Sequence, residues 1–359
     1  MQKQLNNINK VLQRDINVIL DEIFITLDRK NIISIFLYGG YGRDEGSWVF
    51  APDSSLPRPY NDYDIALVVS SNFSNSDLKK VELKLRDLLD VRWIDICQYT
   101  KLHLRLLRTT IKNYDFKYAS KLIYGRRNIL DLIRPMQSAE IGFKDIETLF
   151  ITRLWTLLGS FGPRGLVSMK PEEEMFFRNQ MAKGILSIVD CVLIDNHSYD
   201  TSYKRRVTLL EEFSDDADLI TLAQWALEEK LFPKYEGMST AQVQGLYKRT
   251  HSLFFKYFYF YLSKYFQRNI SLPEDLDGLI MNSFEVKTKS FLKSLLMRDN
   301  RIAINQRLLK LQSFIVFYYF DMSEYHLGIV SDIMKETFNF HDRDLDRIRL
   351  KVAKLRVGE

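Results

Sequence analysis

Three aspartates and one pair of glycines could do chemistry together. Asp62 and Asp64 are two residues apart at the start of an apolar run, and Asp95 lies inside a later apolar run. Residues two apart in a strand point to the same side, so Asp62 and Asp64 can bind one ligand together. Three carboxylates from two adjacent strands suit two magnesium ions about 4 Å apart, an arrangement that serves phosphoryl or nucleotidyl transfer. Gly39-Gly40 would let backbone N–H groups approach a triphosphate, and a helix N-terminus after it would favour the negative charge.

The surrounding patterns place these residues at strand ends. Residues 32–38 are a β-branched apolar run that stops at Gly39-Gly40, which predicts a strand followed by a tight turn. Ser76 is the expected N-cap of a helix with apolar residues on one side. The elements predicted for this part are strands over 32–38, 64–69 and 93–97, and helices over 3–29 and 76–89.

The pattern becomes helical from about residue 138 onward, with almost no strand signal. The helices predicted there are roughly 143–160, 171–195, 203–213, 217–230, 239–268, 273–298, 302–320 and 330–355. The charged stretch 341–347 is expected to be an exposed face of the last helix. The predicted fold class is therefore α+β, with an N-terminal mixed-sheet domain over 1–135 followed by a C-terminal all-α helical bundle over 136–359.

Composition limits the class of protein. The chain has 359 residues, 46% hydrophobic and 27% charged, which excludes a disordered chain and a disulfide-stapled miniprotein. The net charge of +5 is compatible with anionic ligands and too small to indicate a nucleic-acid partner. Cys97 and Cys191 lie in apolar stretches without zinc-ligand spacing. With no targeting segment in the sequence, we expect a cytoplasmic protein.

Aromatic residues make up 13% of the chain, and nine of them fall within the 13 residues 254–266. This run carries Lys256 and Lys264, whereas a membrane-spanning helix needs about 20 apolar residues. A buried helix of the bundle is the favoured interpretation, and a helix lying in a membrane interface is the alternative.

The run Leu-Tyr-Gly-Gly-Tyr-Gly-Arg-Asp-Glu-Gly over 37–46, followed by Asn-Asp-Tyr-Asp-Ile over 61–65, resembles the DNA polymerase β-type nucleotidyltransferase superfamily. The signature of that superfamily is Gly-Gly or Gly-Ser after an apolar residue, then Asp-x-Asp, then a third acid on a later strand. The Gly-Gly-Tyr-Gly-Arg-x-Glu form is similar to the bacterial enzymes that uridylylate or adenylylate nitrogen-regulatory proteins. The order of sheet and helices is similar to the aminoglycoside nucleotidyltransferases.

The resemblance implies a role for each matching residue. Gly39 and Gly40 would hold the β- and γ-phosphates of an NTP. Asp62 and Asp64 would bind two magnesium ions, for which manganese could substitute, and Asp95 would bind the catalytic ion. Asp95 is also the candidate general base for the attacking hydroxyl.

Two basic residues are further candidates for contacts to the nucleotide. Arg43, expected on a helix that continues beyond Gly42, could touch phosphate or form a salt bridge. Lys183, on a predicted bundle helix, could reach the triphosphate or be a surface lysine. The basic run Tyr-Lys-Arg-Arg over 203–206 begins a predicted helix, where positive charge opposes the helix dipole and suggests an anionic partner.

One departure from the family concerns the spacing of the motif. Gly40 and Asp62 are 22 positions apart, about twice the usual separation, because of an extra stretch over roughly 47–60. This insertion is either a loop that faces the substrate or a longer connection at the sheet edge.

The resemblance implies a magnesium-dependent nucleotidyltransferase that transfers the NMP group of an NTP to an acceptor hydroxyl and releases pyrophosphate. A small molecule or a sugar is the favoured acceptor, and nucleic acid is the least favoured. The alternatives are a protein-modifying nucleotidyltransferase and a non-catalytic regulatory or antitoxin-type protein on the same scaffold. The sequence leaves open which NTP is used and the oligomeric state.

Overall fold

The structure is a computed structural model, and contacts between residues divide it into two units. It describes residues 2–51, 54, 56–60, 62–89, 91, 93–160, 170–234, 237–277, 279, 298–318 and 321–357. The sheet unit comprises Met1–Ile141, Leu193–Asp215 and Leu227–Glu236, and the helical unit comprises Gly142–Val192, Asp216–Ala226 and Gly237–Glu359. The domain boundary at residue 135 stays a prediction.

The strands of the sheet unit form one mixed sheet and one small ladder. They are β1 (Ile32–Tyr38), β2 (Trp48–Val49), β3 (Arg58–Pro59), β4 (Tyr63–Val69), β5 (Ile94–Thr100) and β6 (Lys121–Gly125). The sheet order is β5-β4-β1-β6, in which β1 is antiparallel to β4 and β6, and β4 is parallel to β5. The short strands β2 and β3 pair with each other.

Helices account for most of the remaining described chain. They are α1 (Gln2–Thr26), α2 (Gly39–Gly42), α3 (Asn75–Leu89), α4 (Lys101–Arg105), α5 (Ile111–Ala119), α6 (Phe143–Ser160), α7 (Pro171–Asp195), α8 (Tyr203–Phe213), α9 (Ala217–Leu231), α10 (Thr240–Phe266), α11 (Arg298–Phe317), α12 (Glu324–Phe338) and α13 (Leu345–Val357). The predicted fold class, an N-terminal mixed sheet followed by a largely helical C-terminal region, is confirmed.

Side chains that point alternately to the two faces of β1 contribute to an apolar core on each face of the sheet. Ile35 and Leu37 belong to the apolar cluster that α1 and α3 complete. Phe36 and Tyr38 belong to the cluster on the other face, together with Phe116 of α5. Both faces are covered, which explains why β1 and β4 are continuous apolar runs in the sequence.

The predicted elements of the sheet unit agree with the structure to within one residue except at three points. Strand β1 has the predicted bounds, whereas β5 continues from the predicted end at residue 97 to Thr100. Helix α1 ends at Thr26 rather than at residue 29. Ser76 is not the N-cap of α3, because the Ser74 hydroxyl accepts the hydrogen bond from the Asp77 N–H at 3.1 Å.

The predicted helices over 143–160, 171–195, 203–213, 217–230 and 239–268 are confirmed to within two residues at each end. Of the helix predicted over 273–298, the described residues are the single turn Pro273–Leu276, Asp277, Leu279 and the N-terminal residue of α11, and residues 278 and 280–297 lie outside the described chain. The helix predicted over 330–355 is wrong as one element. It divides into α12 and α13, because Asn339 adopts φ +50° and ends α12 in a left-handed cap. The stretch 341–347 is therefore partly loop rather than a helix face.

The aromatic run 254–266 forms the second half of α10 and is confirmed as a buried helix. Phe254, Phe258 and Tyr261 are at most 3% exposed, whereas Phe260 and Tyr265 are about half exposed. The aromatic excess in this region therefore mainly packs the core of the helical unit. None of the helices in the described ranges has both the length and the apolarity that crossing a bilayer requires.

We expect Phe116→Ala to destabilise the sheet unit by about 3–5 kcal/mol, the usual cost of truncating a core phenylalanine. Phe116 is 1% exposed, and its ring lies 5.8 Å from Phe36, 6.0 Å from Tyr38 and 5.2 Å from Tyr99 between centroids. Denaturant titration would measure the change. Leu106→Ala, at a side chain that is 68% exposed, is the control and should cost less than about 1 kcal/mol. An equally small effect at Phe116 would contradict the packing described here.

Candidate active site

The pairing of three strands places two of the predicted aspartates side by side. In the parallel pair of β4 and β5, Asp64 is the direct partner of Asp95, and in the antiparallel pair of β1 and β4 it is the partner of Tyr38. Directly paired residues project from the same face of a sheet. The side chains of Tyr38, Asp64 and Asp95 therefore form one row across three strands, at the end of β1 that leads into Gly39.

Tyr63 fixes which way its two neighbouring aspartates point. Its side chain is fully buried, and its hydroxyl donates a 2.8 Å hydrogen bond to Asp15 of α1. Because side chains alternate along an extended chain, Asp62 and Asp64 are directed to the opposite side from Tyr63. The buried tyrosine thus explains why both acids of the Asp-x-Asp motif reach the same place.

The structure brings Asp62, Asp64 and Asp95 together, with one carboxylate oxygen from each lying within 4.8 Å of the others. Asp62 and Asp64 are half-buried, and Asp95 is exposed. We expected Asp95 to be an acid inside an apolar strand; its exposure follows from the position of β5 at the edge of the sheet. Within the part of the chain that the structure describes, none of the three forms an ion pair with a basic side chain.

This crowding of like charges changes the acidity of the group. Burial, and then the charges of Asp62 and Asp95, raise the pKa of Asp64 to about 8. Burial, Asp62 and Glu82 raise the pKa of Asp95. Three carboxylates that repel one another offer the hard oxygen ligands that divalent cations such as Mg²⁺ take. The residues present therefore fit a divalent metal.

Gly39 lies directly against the metal-ligand candidate Asp64. Its φ is +62°, and a Cβ atom at this position would stand only 2.0 Å from Oδ2 of Asp64. Only glycine therefore allows the turn to approach the carboxylate this closely. The helix that follows is the single turn α2, and the contribution of its N-terminus to phosphate binding stays a prediction.

Arg43 does not continue the helix, as the sequence suggested, but caps its end. Its guanidinium donates a 2.5 Å hydrogen bond to Asp115 of α5 and lies 4.4 Å from the ring centroid of Tyr203. Burial alone would lower the pKa of Arg43, but Tyr203 and Asp115 outweigh it and raise that pKa. Of the two alternatives for Arg43, the salt bridge is thus present, and a contact with phosphate stays a prediction.

Glu45 explains the basic run at the start of α8. Its carboxylate accepts hydrogen bonds from the Tyr203 N–H at 2.7 Å, the Lys204 N–H at 3.2 Å and the Ser202 hydroxyl at 2.8 Å. A carboxylate at a helix N-terminus is stabilising there. The anion suggested by the sequence is therefore a side chain of the protein itself.

The insertion over 47–60 is closed at its base. The Tyr41 hydroxyl donates to the Ser47 carbonyl at 2.7 Å, and the Tyr60 N–H donates to the same carbonyl at 3.0 Å. Trp48 is buried against the Tyr41 ring at 5.4 Å between centroids. The base of the insertion is thus part of the folded unit, while residues 52, 53 and 55 lie outside the described chain.

Two lysines near the acids were not identified from the sequence. Lys112 of α5 is exposed, lies 5.6 Å from the ring centroid of Tyr38 and opposes the raised pKa of both Asp64 and Asp95. Lys230 is buried, and its ammonium donates a 2.9 Å hydrogen bond to the Ser47 hydroxyl. Burial and Arg43 lower the pKa of Lys230 to about 8. No motif marks either lysine, because each reaches the site through tertiary contacts.

Lys183 lies on α7 in the helical unit, where its side chain is half-buried. The helix predicted around it is confirmed. Its contact with a triphosphate stays a prediction.

The raised pKa of Asp64 predicts a dependence of stability on pH. An acid whose pKa is higher in the folded state contributes stability that is complete below its unfolded value, near 4, and that is lost as the pH rises through the folded value. With metal removed by a chelator, the protein should therefore lose stability between about pH 4 and pH 8. At pH 8, Asp64→Asn should be more stable than the natural protein by on the order of 1–3 kcal/mol.

Thermal unfolding at about pH 3.5 and at pH 8 would test this expectation. At about pH 3.5 the two proteins should unfold at similar temperatures, since Asp64 is then protonated in both the folded and the unfolded chain. Excess Mg²⁺ at pH 8 should stabilise the natural protein, so that the stability advantage of Asp64→Asn becomes smaller or reverses. A variant that is less stable than the natural protein at pH 8 in chelator would show that the carboxylates do not repel one another as described.

Comparisons with known proteins give a limited result. Neither a protein-family model nor a curated protein sequence matches the chain. Among solved structures, the chain is similar to the spectinomycin adenyltransferase AAD(9) from Enterococcus faecialis, determined with ATP and spectinomycin. The match has 14% identity and covers 70% of this chain and 99% of that one, with a TM-score of 0.34. At that score the two folds are only loosely alike.

Proposed function

We propose that this protein is a metal-dependent nucleotidyltransferase, which transfers the NMP group of an NTP to an acceptor hydroxyl and releases pyrophosphate. The observation that carries the proposal is the convergence of Asp62, Asp64 and Asp95 within 4.8 Å, next to a Gly-Gly turn that touches Asp64. Two carboxylates two residues apart at the start of one strand, a third on its parallel neighbour and an adjacent turn free of side chains suit a metal-bound triphosphate. The resemblance of the motif to the DNA polymerase β-type superfamily supports the same assignment.

The three acids would hold the metal ions in this reaction. Two Mg²⁺ ions bound there, or Mn²⁺ in their place, would neutralise negative charge on the α-phosphate and on the leaving pyrophosphate. Asp62 would contribute a ligand from the residue immediately before β4, and Asp64 from β4 itself. The pairing of β4 with β5 fixes the position of Asp95 relative to Asp64. The protein would then contribute to catalysis mainly by positioning the reactants.

The remaining groups would act on the nucleotide and the acceptor. The backbone at Gly39 and Gly40 would bind the β- and γ-phosphates, with Arg43 and Lys183 as proposed cationic contacts. The acceptor oxygen attacks the α-phosphorus, and the bond from that phosphorus to the bridging oxygen breaks. Asp95 would accept the hydroxyl proton, and its exposure would allow an acceptor to reach its carboxylate.

We propose a small hydroxylated molecule or a sugar as the acceptor. The net charge of +5 gives no indication of a polynucleotide partner. The test is incubation of the protein and Mg²⁺ with each of the four NTPs and a panel of antibiotics, sugars and proteins, followed by mass spectrometry. The expected product is an acceptor heavier by one NMP group, together with pyrophosphate, and a chelator should prevent both. Transfer of the terminal phosphate instead, with release of a nucleoside diphosphate, would contradict the proposal.

A further inference from the structure

Asp44, in the segment 43–46 that follows the Gly-Gly turn, has a strained backbone conformation. Asp44 has φ +60°, in the left-handed region that residues other than glycine seldom adopt. Such a conformation persists only where the surrounding contacts determine it. The residues on either side of Asp44 make the contacts that hold it in this conformation.

Glu45 connects the turn to a helix that is remote in the sequence. Its backbone N–H donates a 2.8 Å hydrogen bond to the Gly40 carbonyl. Its side chain is 5% exposed and accepts hydrogen bonds from Ser202, Tyr203 and Lys204 at the start of α8. One residue thus bonds to the turn through its main chain and to α8 through its carboxylate.

Arg43 makes a second connection from the same segment. Its guanidinium bonds to Asp115, and the Tyr199 hydroxyl donates to the two oxygens of that carboxylate at 3.1 and 3.2 Å. Asp115 and Tyr199 are 9% and 3% exposed. Both residues that flank the strained Asp44 are therefore anchored by buried polar contacts to α5 and to the segment leading into α8.

We infer that Glu45 is a positioning residue for the nucleotide, because it fixes the Gly39-Gly40 turn against α8. This inference rests on the proposed function, in which the turn binds phosphates. Glu45 is not a catalytic residue, because its carboxylate oxygens already accept three hydrogen bonds at the start of α8. Removing its side chain should release the turn while leaving Asp62, Asp64 and Asp95 in place.

The test compares Glu45→Ala with a control, Glu212→Ala, which removes the side chain of an exposed glutamate on α8. Hydrogen exchange of the metal-free proteins reports on the turn without any substrate. In Glu45→Ala, exchange at residues 39–46 should accelerate about tenfold or more, while exchange within β4 stays as in the natural protein. Glu212→Ala should change neither the exchange at residues 39–46 nor the exchange within β4. Ser202→Ala removes one donor to Glu45 and should show a smaller effect in the same direction.

The kinetic arm uses the NTP and acceptor that the natural protein turns over. Glu45→Ala should raise KM for the NTP about tenfold and change kcat less, and Glu45→Gln, which retains one acceptor oxygen, should recover part of the loss. Unchanged exchange at 39–46 would overturn the inference, and so would accelerated exchange with an unchanged KM. If exchange accelerates but the natural protein binds no nucleotide, the proposed function fails while the link between Glu45 and the turn stands.

Discussion

Asp64→Asn and Asp95→Asn should each lower the rate of pyrophosphate release by about 10³-fold or more. Each change removes one negative ligand from a site whose three carboxylate oxygens lie within 4.8 Å of one another. Charge neutralisation by a bound metal is worth several kcal/mol in the transition state, and each 1.36 kcal/mol corresponds to a factor of ten in rate. Both variants should remain folded, because neither residue packs in an apolar core and asparagine relieves the repulsion between the carboxylates.

A continuous pyrophosphate assay would measure the rates, and circular dichroism would check the fold. Asp87→Asn is the matched control, since Asp87 is an exposed aspartate on α3 whose side chain is 75% accessible. It should retain the activity of the natural protein. Full activity in either Asp64→Asn or Asp95→Asn would show that the reaction takes place without these carboxylates.

Gly39→Ala should lower kcat/KM for the NTP by about 10²-fold. The added Cβ would lie 2.0 Å from Oδ2 of Asp64, and the φ of +62° would strain any side chain at this position. Either the turn or the carboxylate must then move by about 1 Å, and a displacement of that size in an active site costs about 10²-fold in rate. The metal should also bind more weakly, because the displaced atom is a proposed ligand.

Gly328→Ala on α12 is the control for this change. A Cβ at Gly328 would meet no atom within 4 Å, and alanine within a helix is favoured over glycine by up to about 1 kcal/mol. Titration of Mn²⁺ and steady-state kinetics of both variants would show whether the loss is specific to the turn. Gly39→Ala with the metal affinity and kinetics of the control would contradict the contact between the turn and Asp64.

The parts of the fold that follow from local sequence were predicted well. Strand β1 ends where Gly39-Gly40 interrupts an apolar run, and α7 and α8 have the predicted bounds. The break between α12 and α13 was missed, although Asn339 is a residue type that accepts the left-handed cap. The apolar periodicity alone predicted one continuous helix across this break, because the apolar spacing resumes in α13.

The site was predictable only where local geometry determines it. A spacing of two residues was enough to expect Asp62 and Asp64 on one side of a strand, and the adjacent strand brings Asp95 to them. The exposure of Asp95 depends on the order of the strands, which no local pattern encodes. The role of Glu45 was equally hidden, since its bond to Ser202 joins residues 157 positions apart.

Titration of a non-hydrolysable NTP into the natural protein by calorimetry tests directly whether this site binds a metal-bound nucleotide, because it requires no knowledge of the acceptor. We expect at least one of the four NTP analogues to bind in the presence of Mg²⁺. The same analogue should bind at least tenfold more weakly in chelator or to Asp64→Asn, whose site lacks one carboxylate. Absence of binding by all four analogues, or binding that is indifferent to both the metal and Asp64, would contradict the assignment of this site to a metal-bound nucleotide.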